Sequence, residues 1–185
     1  MNILPTALLF CAALLLAGCG ERKADVALPK HYEKDGLTFL YPGNWTIDED
    51  EDLSGIHHIS IETRGDALVI VQLFPMGAAN SLEEYAAVFS KRAAEALPLG
   101  KMTSSKFITL EAAHGCSRLQ ENCNMRLLNE DTPHVRYYLS RDFDGQRCFL
   151  ICQVAEEDLA MVEEGFKQVG ESLLYEKTAA APKAP

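Results

Sequence analysis

The sequence predicts an α+β fold, an α/β/α sandwich whose mostly antiparallel central sheet is flanked by two main helices. Three observations lead there. Strand-like runs come first, a capped amphipathic helix follows, and a second group of strands precedes a closing amphipathic helix. An Asp-Gly pair inside one long strand-like run marks a hairpin, and hairpins make neighbouring strands antiparallel. The 185 residues, 48% hydrophobic, suit one domain with its own core and terminal extensions.

The strands read in order. Residues 37–42, LTFLYP, are apolar and stopped by Pro42-Gly43. Residues 57–63, HHISIET, alternate, with Ile59 and Ile61 on one side and Ser60 and Glu62 on the other. Residues 67–74, ALVIVQLF, are almost continuously apolar, the signature of a central strand buried on both faces. The first helix starts at Ser81 as N-cap with Glu84 three positions on, a capping-box pattern. Leu82, Tyr85, Ala86, Phe89, Ala93, Ala96 and Leu97 then recur at helical spacing until Pro98 and Gly100 end it. Residues 105–111 form another strand, and residues 135–154 a hairpin turning at Asp144-Gly145. In that hairpin Phe143 opposes Gln146, Arg141 opposes Cys148, Leu139 opposes Leu150 and Tyr137 opposes Cys152. Leu159, Val162, Phe166, Val169 and Leu173 mark the second helix, in which Gly165 and Gly170 cost about 1 kcal/mol each relative to Ala.

Outside this domain, residues 3–17 are almost all apolar. The run is shorter than the about 20 residues of a membrane span and suits the core of a secretory signal. Leu16-Ala17-Gly18-Cys19 resembles the bacterial lipobox, although residues 1–5 carry no Lys or Arg. The resemblance implies cleavage before Cys19 and acylation of that cysteine, palmitate among the chains. Two or three chains anchor stably where one is marginal. Gly20 rather than Asp after the cysteine implies outer-membrane sorting, facing the periplasm, in a Gram-negative envelope. The expected organisation is a signal peptide over residues 1–18, a lipidated flexible tether over 19–31, the domain over 32–175 and a disordered Ala/Pro/Lys-rich tail over 176–185.

A formal net charge of -10 argues against nucleic acid as a partner. The stretch LTFLYPGNWTI, with Trp45 after Tyr41-Pro42, is followed by SLEEY opening a helix, an aromatic hairpin turning at DG, and a last helix ending VGESLLYE. That succession, over residues 36–175, resembles PsbP-like and DcrB-like domains. The resemblance implies protein binding. Its families include a photosystem assembly subunit, a Ran-binding nuclear import factor, envelope lipoproteins and chaperones for secreted effectors, with no shared active site.

Four cysteines remain in the domain: Cys116, Cys123, Cys148 and Cys152. In an exported chain an even number favours disulfides. Cys148 and Cys152 lie about 13 Å apart along one strand, beyond the about 7 Å reach of a bridge, so each would take one of Cys116 and Cys123. Structural bridges lead this reading; buried free thiols and redox or metal chemistry are the alternatives. His114, Cys116 and Cys123 lack the paired spacing of a zinc site. The acidic run of residues 48–52, DEDED, reads as a solvated loop. Asp48, Asp50 and Asp52 keep the alternation of a calcium loop, but Leu53 and Ile59 stand where Gly and Glu belong. No nucleophile elbow, zincin helix, P-loop or dinucleotide fingerprint is present, and no cofactor is expected. The chain thus reads as a membrane-anchored, non-enzymatic envelope lipoprotein that binds a protein partner or supports envelope or secretion assembly. A small-ligand or divalent-ion binding lipoprotein and an envelope thiol-redox protein are the alternatives.

Overall fold

A computed structural model describes residues 23–63, 67–97, 100–127 and 130–176. Cys19, the signal segment and the C-terminal tail beyond Glu176 lie outside the described residues. The chain runs β1 (Lys30–Lys34), β2 (Leu37–Tyr41), β3 (Thr46–Leu53), β4 (Ile56–Glu62), β5 (Leu68–Pro75) and α1 (Leu82–Glu95). It continues through β6 (Gly100–Ala113), β7 (Cys116–Leu127), β8 (Glu130–Phe143), β9 (Gln146–Ala155), α2 (Leu159–Ser172) and β10 (Leu174–Tyr175).

Seven strands form one sheet in the order β3-β4-β5-β9-β8-β7-β6, antiparallel at every pairing. A smaller sheet, β1-β2-β10, is also antiparallel. One face of the large sheet joins α2 and the small sheet in the main core, where Trp45, Phe39, Val69, Leu150, Cys152, Phe166 and Val169 meet. The other face packs Leu119, Tyr138, Phe149 and Ile151 against Leu82 and Ala86 of α1. The α+β class and the sandwich of a mostly antiparallel sheet with a helix on each face are as the sequence predicts; the small sheet is an addition to it.

Local chemistry explains the elements. Ser81 Oγ accepts from Glu84 N at 3.2 Å and Ser81 N donates to Glu84 Oε2 at 3.3 Å, completing the capping box at the start of α1. Three hairpins turn on residue-Gly pairs with both φ positive, at Asp35-Gly36 (51° and 86°), Ser54-Gly55 (59° and 86°) and His114-Gly115 (53° and 74°). The β8–β9 register matches the predicted pairs, Tyr137 with Cys152 and Leu139 with Leu150 among them.

Other expectations are corrected. The acidic run is not a loop but β3, the edge strand of the large sheet, paired with β4 and bulged between Ile47 and Glu49. Tertiary pairing overrides the poor strand propensity of Asp and Glu there, and charges on an edge oppose pairing with another chain. The strand read at 105–111 is the middle of a longer β6. Part of the stretch expected as a flexible tether is ordered on the domain. Lys30 already opens β1, and residues 23–26 lie strapped across the domain: Ala24 N donates to Met161 O at 2.8 Å, Gly43 N to Asp25 O at 2.9 Å and Gln168 Nε2 to Val26 O at 3.1 Å. Asn44 clasps the strap from both sides, accepting from Asp25 N and donating to Lys23 O, each at 2.9 Å.

Candidate functional site

Side chains alternate across each strand, and the register carries that alternation from strand to strand. Gln120 opposes Tyr137, which opposes Cys152, so these three share the α2 face with Cys116, Arg118, Leu139 and Cys148. Leu110 of β6 opposes Arg118 and belongs to the same face. Helix α2 packs on β2 and β9, and its flank leaves part of this face open towards β6. A cleft of about 360 Å³ results. Leu110, Leu139, Tyr137, Phe166 and Gly170 give it an apolar lining.

Its rim carries charged groups of both signs. Lys167 Nζ lies 3.2 Å from Glu163 and 2.8 Å from Glu164, and His114 Nε2 lies 3.5 Å from Glu171. Arg118, half-buried in the cleft wall, makes no ion pair or side-chain hydrogen bond among the described residues. Burial, seconded by Glu163, raises the Tyr137 hydroxyl above its ordinary range against the pull of Arg118 and Lys167. The hydroxyl therefore stays protonated, a donor at neutral pH.

The cysteines fall differently from the sequence expectation. All four are buried free thiols. Cys123 lies on the α1 face with Leu119, opposite to the face of Cys148 and Cys152, so the register forbids a bridge to either. Cys116 does share the face of Cys148. However, Arg141 stands between them on β8, and two strand spacings separate their backbones by about 9–10 Å, beyond bridging reach. Burial raises the thiols of Cys116 and Cys123, and pushes those of Cys148 and Cys152 far above the ordinary cysteine value. A protonated thiol is a poor nucleophile and a poor metal ligand.

Asp48, Asp50 and Asp52 do not converge on one point. Asp52 Oδ1 accepts from Gly55 N at 2.8 Å and holds the hairpin turn. Asp50 joins the two sheets: its carboxylate accepts from Tyr32 Oη at 3.2 Å and Lys34 Nζ at 2.7 Å and lies 2.8 Å from His57 Nε2. Burial raises the Asp50 carboxyl, but hydrogen bonds from Lys34 and His57 outweigh it and the net shift is downward. Among the described residues no three His, Cys, Asp or Glu side chains cluster as a metal site.

On the α1 face a buried ion pair was not foreseen. Arg136 and Glu121 are both fully buried. Arg136 Nη1 donates to Glu121 Oε2 at 2.7 Å, and Tyr138 Oη donates to the same oxygen at 2.8 Å. Ser90 and Ser105 donate to Oε1 at 2.5 and 2.6 Å. The carboxylate is thus saturated, a structural arrangement. The cleft itself was missed because its residues come from five elements with no common spacing. The legible part was the pairing of Tyr137 and Leu139 with Cys152 and Leu150, which already placed an apolar hairpin face under a helix.

A seven-stranded antiparallel sheet with a helix on each face and an apolar core on both sides is a fold this chain shares with a solved PsbP structure. Among solved structures it is similar to the solution structure of cyanobacterial PsbP (CyanoP) from Synechocystis sp. PCC 6803. The identity is 15% and the TM-score 0.51, covering 88% of this chain and 99% of that one. It is similar at TM-score 0.39 and 15% identity to PA94 of Pseudomonas aeruginosa, described as a protein of unknown function, over 81% of this chain and 99% of that one. LpqN of Mycobacterium tuberculosis, described as involved in cell envelope biogenesis, matches with 12% identity and TM-score 0.41, over 80% of this chain and 88% of that one. No protein-family description matches the sequence, and no curated protein matches it. At these identities the likeness is one of fold, and function rests on the chain's own residues.

Proposed function

We propose that this chain is a lipid-anchored protein of a bacterial cell envelope, held at the membrane through acylated Cys19, that acts by binding a protein partner rather than by catalysis. The observation that carries the binding reading is the cleft beside α2: apolar within, charged at the rim and open to solvent, the form of a recognition site. The thiols lining it, Cys116 and Cys152, are both held protonated by burial, which favours binding over nucleophilic chemistry. The lipobox-like run ending at Cys19 supports the anchor. No helix among the described residues is long and apolar enough to cross a membrane. A Gly at position 20 favours the outer membrane in a Gram-negative cell.

Two measurements test this. Metabolic labelling with palmitate should mark the protein and a Cys19→Ser variant should lose the label; unchanged processing in globomycin would remove the anchor. Pull-down from cross-linked envelopes should recover a reproducible partner, and its absence would remove the binding reading. A second reading, a carrier of a small ligand, draws on the same cleft and predicts a thermal shift with a metabolite set. The divalent-ion version is weaker, because Asp50 is already engaged by Tyr32, Lys34 and His57.

A further inference from the structure

Arg118 gives the cleft its chemistry. The other permanent cation of the lining has partners: Lys167 lies beside Glu163 and Glu164. Arg118 is the one permanent cation of the lining that has no ion pair or side-chain hydrogen bond among the described residues, and it stands beside apolar surface where water screens it poorly. A guanidinium presents a planar fork of donors that matches a carboxylate. Tyr137, in the same cleft, adds a hydroxyl donor. The unpaired guanidinium, with its donors free, is the group in this lining that can receive a carboxylate. The about 360 Å³ volume lies at the small end of ligand sites, which run about 300–1,000 Å³, and Leu110, Leu139 and Phe166 offer apolar contact to one large side chain.

We propose that the cleft captures the free C-terminus of a partner polypeptide ending in an apolar residue, with Arg118 and Tyr137 holding the terminal carboxylate and Leu110, Leu139 and Phe166 the last side chain. A polypeptide fits better than a detached alkyl acid. Gln120, His114 and Glu171 at the rim are donors and acceptors that the approaching backbone amides can use and an alkyl chain cannot. The inference rests on the protein-binding reading and names the part of the partner that this site reads.

The test uses the full chain, isotope-labelled for NMR, and two N-acetylated pentapeptides of sequence Ser-Gly-Ser-Gly-Phe, one a free acid and one a C-terminal amide. The acid should bind about tenfold or more tightly than the amide, as a charge-assisted hydrogen bond gives, and should shift the amides of Ala113 and Gly170. Arg118→Gln should bring acid and amide to within about twofold, and Ala113→Trp, which fills the cleft, should abolish both. Equal binding of acid and amide, shifts confined to another surface, or hexanoate binding as tightly as the acid peptide would each overturn the assignment. The acid-to-amide ratio on the unaltered protein decides the matter even where a variant does not fold. An envelope partner that the acid peptide fails to displace overturns this assignment and leaves the protein-binding reading standing. Failure to recover any partner bears on that reading alone.

Discussion

Gly165 lies where the second helix meets Trp45, and replacing it with Ala sets two effects against each other. An ideal Cβ there would lie 2.5 Å from Trp45 Cη2, 2.6 Å from Trp45 Cζ2 and 2.8 Å from Pro42 Cγ. Favourable carbon contacts lie at about 3.5–4.0 Å, so the methyl overlaps two rigid rings at once. Trp45 is 1% exposed and packs at a tilt against Phe166 with centroids 6.0 Å apart, which leaves the indole nowhere to retreat. Overpacking of this kind costs about 1–3 kcal/mol, here at the upper end, while the helix gains about 1 kcal/mol from losing a glycine. The net expectation for Gly165→Ala is a loss of about 2 kcal/mol, or a fall in Tm of about 4–8 °C for a domain of this size. Urea and thermal unfolding followed by the fluorescence of Trp45, the only tryptophan, would measure it. Gly170→Ala is the control: its Cβ would lie 3.1 Å from Leu139 Cδ2 and 3.4 Å from Leu150 Cδ2, both flexible side-chain ends. It should fall within about 1 kcal/mol of the parent. A Gly165→Ala protein as stable as the parent, or more so, would refute the claim that the glycine exists to seat the indole.

Three further outcomes follow from the same structure. Glu121→Ala should cost about 3–5 kcal/mol in urea unfolding because it strands a fully buried Arg136, whereas Glu121→Leu with Arg136→Met should recover most of the loss. Asp50, whose carboxyl is held below its ordinary value, contributes stability that is present above the unfolded pKa of about 3.9 and lost as pH falls through the folded one. Asp50→Asn should flatten that part of the stability profile in unfolding measured between neutral pH and pH near 3; an unchanged acid slope would refute the bridging role. Alkylation followed by mass spectrometry without reductant should count four free domain thiols after denaturation, with Cys148 and Cys152 the slowest to react in the native state. A protected pair in denaturant would show a bridge that this register does not allow.

Much of the fold was legible where the signal is local. The capping box at Ser81 and Glu84, the alternation of Ile59 and Ile61 and the turn at Asp144-Gly145 each depend on a few adjacent residues. Strand β7 was not legible as a strand, and the reason is chemical. Its inward face reads Leu119, Glu121, Cys123, Met125, and a glutamate in second place of such a series breaks the apolar alternation. Only the arginine fifteen positions on, buried with it at 2.7 Å, makes Glu121 a core residue. The acidic β3 was hidden likewise, because its five consecutive acids express the protection of an edge and not a preference for any backbone state. The small sheet depends on Leu174 meeting Thr38, a pairing no window of sequence contains. The cleft shares that problem. Arg118 reads as one more surface cation until the register sets it beside Tyr137 and the flank of α2.

The strap and the small sheet also govern when this domain can be complete. Ala24 hydrogen-bonds to Met161, and β2 has β1 on one side and the last strand on the other. The first described segments of the domain are therefore closed by its last ones. A chain synthesised amino-terminus first presents Trp45, Phe39 and Tyr41 long before Phe166, Val169 and Leu173 exist to cover them. Hairpins of the large sheet can form early, but the main core cannot seal until the final helix has been made. Fold closure thus waits on the carboxy-terminal helix: a chain stalled or clipped before Leu173 leaves its earliest aromatics uncovered.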